Sequence, residues 1–196
     1  MEEIIIKEKD DSVSFEAIQE LLTAAHMSNA EKGLIYATAN QSVDKLKAKI
    51  GEDGVCFIAM LGDVLAGTVT ISFRELNYWY HSGEVAIIKL LGVSPEFKGR
   101  HISSKLIEKC IECAEKKGRR VIIADSAEQN VILRNLLHKY GFLTVDYCKY
   151  AANNFYTNVY VRWLDGCPHS RLSRSIHYKL KRMKIRLKYK PDTGKK

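Results

Sequence analysis

Residues 91–106 read Leu-Gly-Val-Ser-Pro-Glu-Phe-Lys-Gly-Arg-His-Ile-Ser-Ser-Lys-Leu. An apolar, strand-like run (85–91) leads into this stretch, Pro95 breaks it, and a basic turn containing Gly99 follows. An amphipathic helix then begins at about Ile102 or Ser103. Strand, basic turn and helix N-terminus together suit a phosphate. The turn offers backbone N–H groups, the helix end adds roughly half a positive charge, and side-chain cations supply the rest. A diphosphate at this turn implies a nucleotide-type cofactor.

The elements around the turn follow from periodicity and breakers. Residues 4–9 read as a short strand, and Ser14 or a residue next to it caps a helix with Phe15, Ile18, Leu21 and Leu22 on its apolar positions. A second helix opens at Gln41-Ser42, carries Val43, Leu46 and Ile50 on one face, and ends at Gly51 and Gly54. The runs 55–61 and 64–73 flank Gly62-Asp63 as a hairpin, and an aromatic loop (77–81) leads to a strand over 84–93. The helix after the basic turn places Leu106, Ile107, Cys110, Ile111 and Ala114 inward and stops at Gly118. The strand read over 120–125 carries a continuous apolar run, Val-Ile-Ile-Ala, between Arg120 and Asp125, the pattern of a strand buried on both faces. A helix over 130–140 ends at Gly141, and strands over 142–150 and 155–164 close the body. Strand, helix and strand from 84 to 125 make a right-handed crossover with parallel strands, so the rest of the sheet is expected to be mostly antiparallel.

Two segments carry a family resemblance. The run from Val93 to Ser103 is similar to the acyl-CoA signature of the GNAT acetyltransferases, and Asn130, Leu136 and Tyr140-Gly141-Phe142 resemble that family's second motif. The resemblance covers roughly residues 3–164. It implies an α/β (α+β) GNAT fold: a mixed, mostly antiparallel sheet of about seven strands, helices on both faces, and a splayed parallel pair in the middle. It implies a domain over 1–165 that binds acetyl-CoA as co-substrate and moves the acetyl or another acyl group to a primary amine of a small molecule or protein. The pantetheine arm would pair with the backbone at Leu91 and Val93. The pyrophosphate would sit on Lys98, Gly99, Arg100, His101, Ile102, Ser103 and Ser104, with Asn130 approaching the arm from the other side.

The departures concern the loop and the proton transfers. His101 and Ser103 stand where the family usually has glycine or alanine, so His101 must tolerate the dihedrals of a glycine or shift the loop. Ser103 and Ser104 can offer hydroxyls while capping the helix. The positions that often carry a base in the family hold Ile87 and Lys89, and the position of its frequent tyrosine acid holds Leu137. Tyr140 and Glu84 are the nearest substitutes, beside a water chain with backbone help. With those groups absent, the alternative to an acyltransferase is a catalytically impaired module of the same fold that binds through its tail. The acceptor side falls to residues 25–40, with His26, Asn29, Glu31, Lys32 and Tyr36 read mostly as surface decoration, and to the aromatic loop.

Composition sets the remaining expectations. Cysteines at 56, 110, 113, 148 and 167 read as free thiols of a reducing compartment, and a lone Cys110-x-x-Cys113 inside a helix does not make a metal site. The acidic first residues do not resemble a secretory leader, which points to a cytoplasmic protein. The net charge of +8 is uneven: residues 166–196 hold eleven Lys/Arg against one acid, and the rest holds twenty against twenty-two. In that basic extension Leu172, Ile176, Leu180, Met183 and Leu187 share one helical face, although an alternating strand pattern competes from Met183. The segment 168–190 suits peripheral attachment to a membrane, contact with nucleic acid, or packing by its apolar face on the body or on a second subunit of a homodimer.

Overall fold

The computed structural model describes residues 3–31, 33–36, 39 and 41–189, with Ser28 described in backbone only. Lys32 of the expected acceptor segment and the tail beyond Tyr189 lie outside these residues. The elements run β1 (Ile4–Glu8), α1 (Phe15–Ala30), α2 (Val43–Ile50), β2 (Val55–Leu61), β3 (Val64–Tyr78), β4 (His81–Val93), α3 (Ile102–Lys116), β5 (Val121–Ala127), α4 (Val131–Lys139), β6 (Leu143–Cys148), β7 (Thr157–Trp163) and α5 (Arg171–Lys188). The strands form one sheet in the order β1-β2-β3-β4-β5-β7-β6, and β4–β5 is its parallel pair.

The helices start and stop where their caps dictate. The Ser14 and Ser42 side chains accept from the amides of Ala17 and Lys45, and Gly51 closes α2 with φ 77°. Helix α3 buries Leu106, Ile107, Cys110, Ile111 and Ala114 against Ala86, Ile88, Ile122 and Ala124 of the sheet. On the opposite face Ile18, Leu22, Leu46 and Ile50 of α1 and α2 pack on Ile58 and Leu90. Helices therefore cover both faces, as expected.

The expected aromatic loop is instead the tip of a long hairpin. β3 and β4 stay paired through Glu75↔Glu84, Leu76↔Gly83 and Asn77↔Ser82 to Tyr78↔His81, with a turn at residues 79–80. A β-bulge interrupts the other end of the same pair. Thr68 pairs with Gly92 and Thr70 with Lys89, so Leu90 and Leu91 both oppose Val69. Leu90 takes φ 54°, a left-handed conformation that a branched side chain rarely adopts, and its burial against α1 and α2 holds it there. The bulge shifts the alternation of β4. Before it, Ile88 faces α3 and Lys89 faces the α1–α2 side; after it, Leu91 and Val93 face α3.

The tail folds as α5, so helix wins over strand. Ser170 caps it, and its body contacts are made mainly with β6, the outermost strand.

Candidate active site

Parallel pairing of β4 with β5 covers Ala86↔Ile122, Ile87↔Ile123 and Ile88↔Ala124 and ends there. Beyond it the strands part, leaving β4 from Lys89 onward without a neighbour on the β5 side. A cleft of about 490 Å³ occupies the gap. Ile107, Leu133 and Leu137 wall it on the α3–α4 side, and His26, Tyr36, Lys49, Tyr150 and Phe155 on the α1–α2 side.

Leu91 and Asn130, two of the residues expected to meet the cofactor arm, line this cleft. The Asn130 side-chain Oδ1 accepts from the Leu133 amide at 3.1 Å and caps α4, which leaves the side-chain NH₂ on the side of the Tyr36 hydroxyl and the cleft. Val93 ends β4 opposite Gly67 and packs on the main core. The basic turn follows a short 3₁₀ turn, Pro95–Phe97. Gly99 has φ 82°, and the Arg100 guanidinium lies 5.5 Å over the Phe97 ring.

Ser103 and Ser104 do not cap α3. The N-cap is His101, which stands at φ 60° in the left-handed region that favours glycine, so it tolerates a glycine-like conformation, and its side chain makes no capping bond. The serines fall in the first turn, where the amides of Ile102, Ser103 and Ser104 have no intrahelical acceptor. Ile102 itself is buried in the core, so only its backbone can meet an anion. The unpaired edge of β4 and these uncapped amides fit an extended arm and a diphosphate.

The substitutes for the missing acid and base lie elsewhere. Tyr140 ends α4 and donates its hydroxyl to Glu108 on α3 at 2.6 Å. Glu84 pairs with Arg119 at 2.7 Å, near the start of β4. Neither lines the cleft, whereas Leu137 does.

What the cleft does contain was not legible in the sequence. Asp125 on β5, Lys89 on β4 and Arg74 on β3 all line it. Their facing follows from the ladder: Arg74 is opposite Val85, and Ile87 opposite Ile123, so Arg74, Lys89 and Asp125 project from the sheet face that α1 and α2 cover. The Tyr150 hydroxyl donates to the Asp125 carboxylate at 2.8 Å. Asp125 is open to the cleft but walled by protein. Burial pushes its pKa above the ordinary carboxylate value, against the pull of the Tyr150 hydrogen bond and of Arg74 and Lys89. Burial, then Arg74 and Lys49, lowers the Lys89 pKa; its ammonium donates to the Lys49 carbonyl at 2.7 Å. Burial also lowers the Lys49 pKa.

His26 and Tyr36, read as surface decoration, instead stack at 4.6 Å as part of the cleft wall, and Tyr36 packs against Phe155 at 4.6 Å. Burial lowers the His26 pKa to about 4, so its imidazole is neutral at pH 7. The Thr157 hydroxyl is buried in the wall with no hydrogen-bond partner among the described residues, a cost that a polar ligand would relieve, whereas the Tyr36 hydroxyl lies within reach of Asn130, Ser126 and the Ala127 backbone, and burial raises its pKa. The aromatic hairpin tip is not part of this wall. Trp79 stacks on His177 of α5 at 3.9 Å.

Residues 15–142 match the acetyltransferase (GNAT) family, and the chain belongs to that family. No curated protein matches the sequence. Solved structures share the fold at low identity. A protein of Pyrococcus horikoshii OT3 is 21% identical, with a TM-score of 0.63 over 82% of this chain and 98% of that one. A chain in the NatC complex bound to Gag peptide and CoA is 17% identical, with a TM-score of 0.65 over 83% and 99%. The yncA protein of Salmonella typhimurium, a putative acetyltransferase solved with acetyl-CoA, is 18% identical, with a TM-score of 0.62 over 86% and 98%.

Proposed function

We propose that this protein moves an acetyl group from acetyl-CoA to the primary amine of an acceptor that also carries an anionic group. One observation carries the reading: a carboxylate with a raised pKa, Asp125, sits at the floor of the gap between β4 and β5, held by Tyr150. The donor's arm would lie along β4 from Leu91 to Val93, and its diphosphate on Lys98, Gly99, Arg100, His101 and the first-turn amides of α3. Acetyl-CoA supplies the activated thioester carbonyl.

Asp125 supplies the proton acceptor. A free primary ammonium with a pKa near 10.4 is neutral in only roughly one molecule in 2,500 at pH 7, so its proton must be removed before the nitrogen can attack. In the full exchange one amine proton goes to Asp125, the C–N bond forms as the C–S bond breaks, and the second proton leaves with the thiol. Lys49, Lys89 and Arg74 outnumber Asp125 in the same wall, an arrangement suited to an acceptor with a carboxylate or phosphate beside its amine.

A catalytically impaired binding module is the second reading, favoured by the apolar Leu137 in the cleft wall. Thiol release from acetyl-CoA across matched amines, with and without an acidic group, separates the two. The proposal expects turnover that favours the acidic amines, and loss of that preference in Arg74→Ala. Turnover on neutral amines alone would remove the anionic acceptor, and no turnover on any amine or acidic peptide would favour the module.

A further inference from the structure

Helix α5 lies on the body with its polar side inward. Arg182 and Arg186 pair with Glu128 at 2.6 and 2.8 Å, and Lys181 pairs with Asp146 at 3.4 Å. The Tyr178 hydroxyl donates to Asn158 at 2.8 Å, and His177 stacks on Trp79. The opposite side carries Leu172, Ile176, Leu180, Met183 and Leu187, which are between 49% and 70% exposed. The expectation that the tail packs on the body by its apolar face is therefore reversed. On the helical wheel the docked residues centre about half a turn from this stripe. Lys179 borders it on one side and Lys184 and Lys188 on the other, all exposed; Lys179 and Lys184 form no ion pair among the described residues.

The geometry points to an anionic lipid bilayer surface as the occupant of this stripe. An amphipathic helix lying in the headgroup region buries an apolar face and sets its flanking lysines among acidic headgroups. The other two occupants fit less well. In a second copy the same stripe would place lysines against lysines, because α5 contains no acidic residue. Fully burying five such side chains also hides only about 300–600 Å² per copy, short of the roughly 800 Å² of a standard interface. Nucleic acid could meet Lys179, Lys184 and Lys188, but Arg182 and Arg186 are held by Glu128, and phosphates offer nothing to the apolar stripe that these lysines flank.

The test is co-sedimentation of the full chain with vesicles of phosphatidylcholine alone or mixed with phosphatidylserine, at physiological salt. The wild type is expected to sediment with the mixed vesicles only. Leu180→Ser with Met183→Ser, and separately Lys179→Gln with Lys184→Gln, should each lower the partition coefficient about tenfold or more. These side chains project into solvent, so the thermal midpoint should not move. Any of three outcomes overturns the proposal: wild-type partition that ignores phosphatidylserine, variants that partition like the wild type, or a vesicle-free dimer that the apolar pair of substitutions dissolves. Retention by RNA without retention by mixed vesicles would assign the helix to nucleic acid instead.

Discussion

Asp125→Asn keeps the size of the side chain and an oxygen to accept from Tyr150, and removes the base. The Tyr150 hydroxyl now holds that oxygen at 2.8 Å, and burial raises the carboxyl pKa above its ordinary value of about 3.9. Positioned proton transfer contributes about 10²–10⁴ in rate, or about 2.7–5.5 kcal/mol of barrier. The expected fall in kcat on the preferred amine is therefore about 10²–10⁴-fold. The affinity for acetyl-CoA should stay within about twofold, because Asp125 projects toward α1 and α2 and not toward the phosphate turn. The pH profile supplies a second readout. The ionised carboxylate is the active form and its pKa is raised, so kcat/KM of the wild type should fall with acid at a pH above the ordinary carboxylate range. Asp125→Asn should lose that limb and retain only the limb due to the amine. Thiol release measured continuously from pH 4.5 to 9 checks both (the pH range follows from the reference carboxylate and amine values, about 4 to 10). A variant with kcat within about threefold of the wild type, or with the acid limb intact, would refute the assignment.

Two further outcomes follow from neighbouring contacts. Tyr150→Phe removes a hydrogen bond that lowers the Asp125 pKa, so the acid limb should move to higher pH while kcat falls less than in Asp125→Asn. Burial would raise the Glu128 pKa, but hydrogen bonds from Tyr147, Arg186 and Arg182 prevail and hold it below the ordinary value. A carboxylate with a depressed folded-state pKa contributes stability above its unfolded value, about 4.3, and loses it as pH falls through the folded value. Glu128→Gln should therefore loosen α5 by about 2 kcal/mol at pH 7, a modest figure because both arginines remain reachable by water, and by progressively less in acid. Hydrogen exchange of the α5 amides at pH 7 and pH 4 measures this, and equal protection of α5 in the variant and the wild type at pH 7 would count against the ion-pair account.

The sequence was most informative where function is carried by the backbone. The run from Val93 to Ser104 needs only a strand end, a turn and a helix start, and periodicity with Pro95 and Gly99 reveals all of them. The carboxylate proposed as base was hidden because its cleft opens only where β4 parts from β5, beside the bulge at Leu90. Nothing marks a leucine in advance as left-handed, yet that residue lies where β4 leaves β5 and opens the gap in which Asp125 meets Tyr150. In sequence Asp125 is only the polar end of an apolar strand. The tail shows the opposite case. Its period was legible and α5 formed, but the apolar stripe did not turn inward, because Glu128 and the mostly buried Asp146 needed the cations of its other face. Periodicity identifies a stripe; what covers it is set by the charges on the surface that receives the helix.

The most direct measurement is a titration with acetyl-CoA followed by amide NMR spectra, for the wild type and for Lys98→Ala with Arg100→Ala. The account predicts shifts concentrated on β4 from Lys89 to Val93 and on the amides of His101, Ile102, Ser103 and Ser104. The double variant should bind about a hundredfold more weakly, at about tenfold or 1.4 kcal/mol for each cation removed from the phosphates. No binding by the wild type, or shifts that leave β4 and the first turn of α3 untouched, would contradict it.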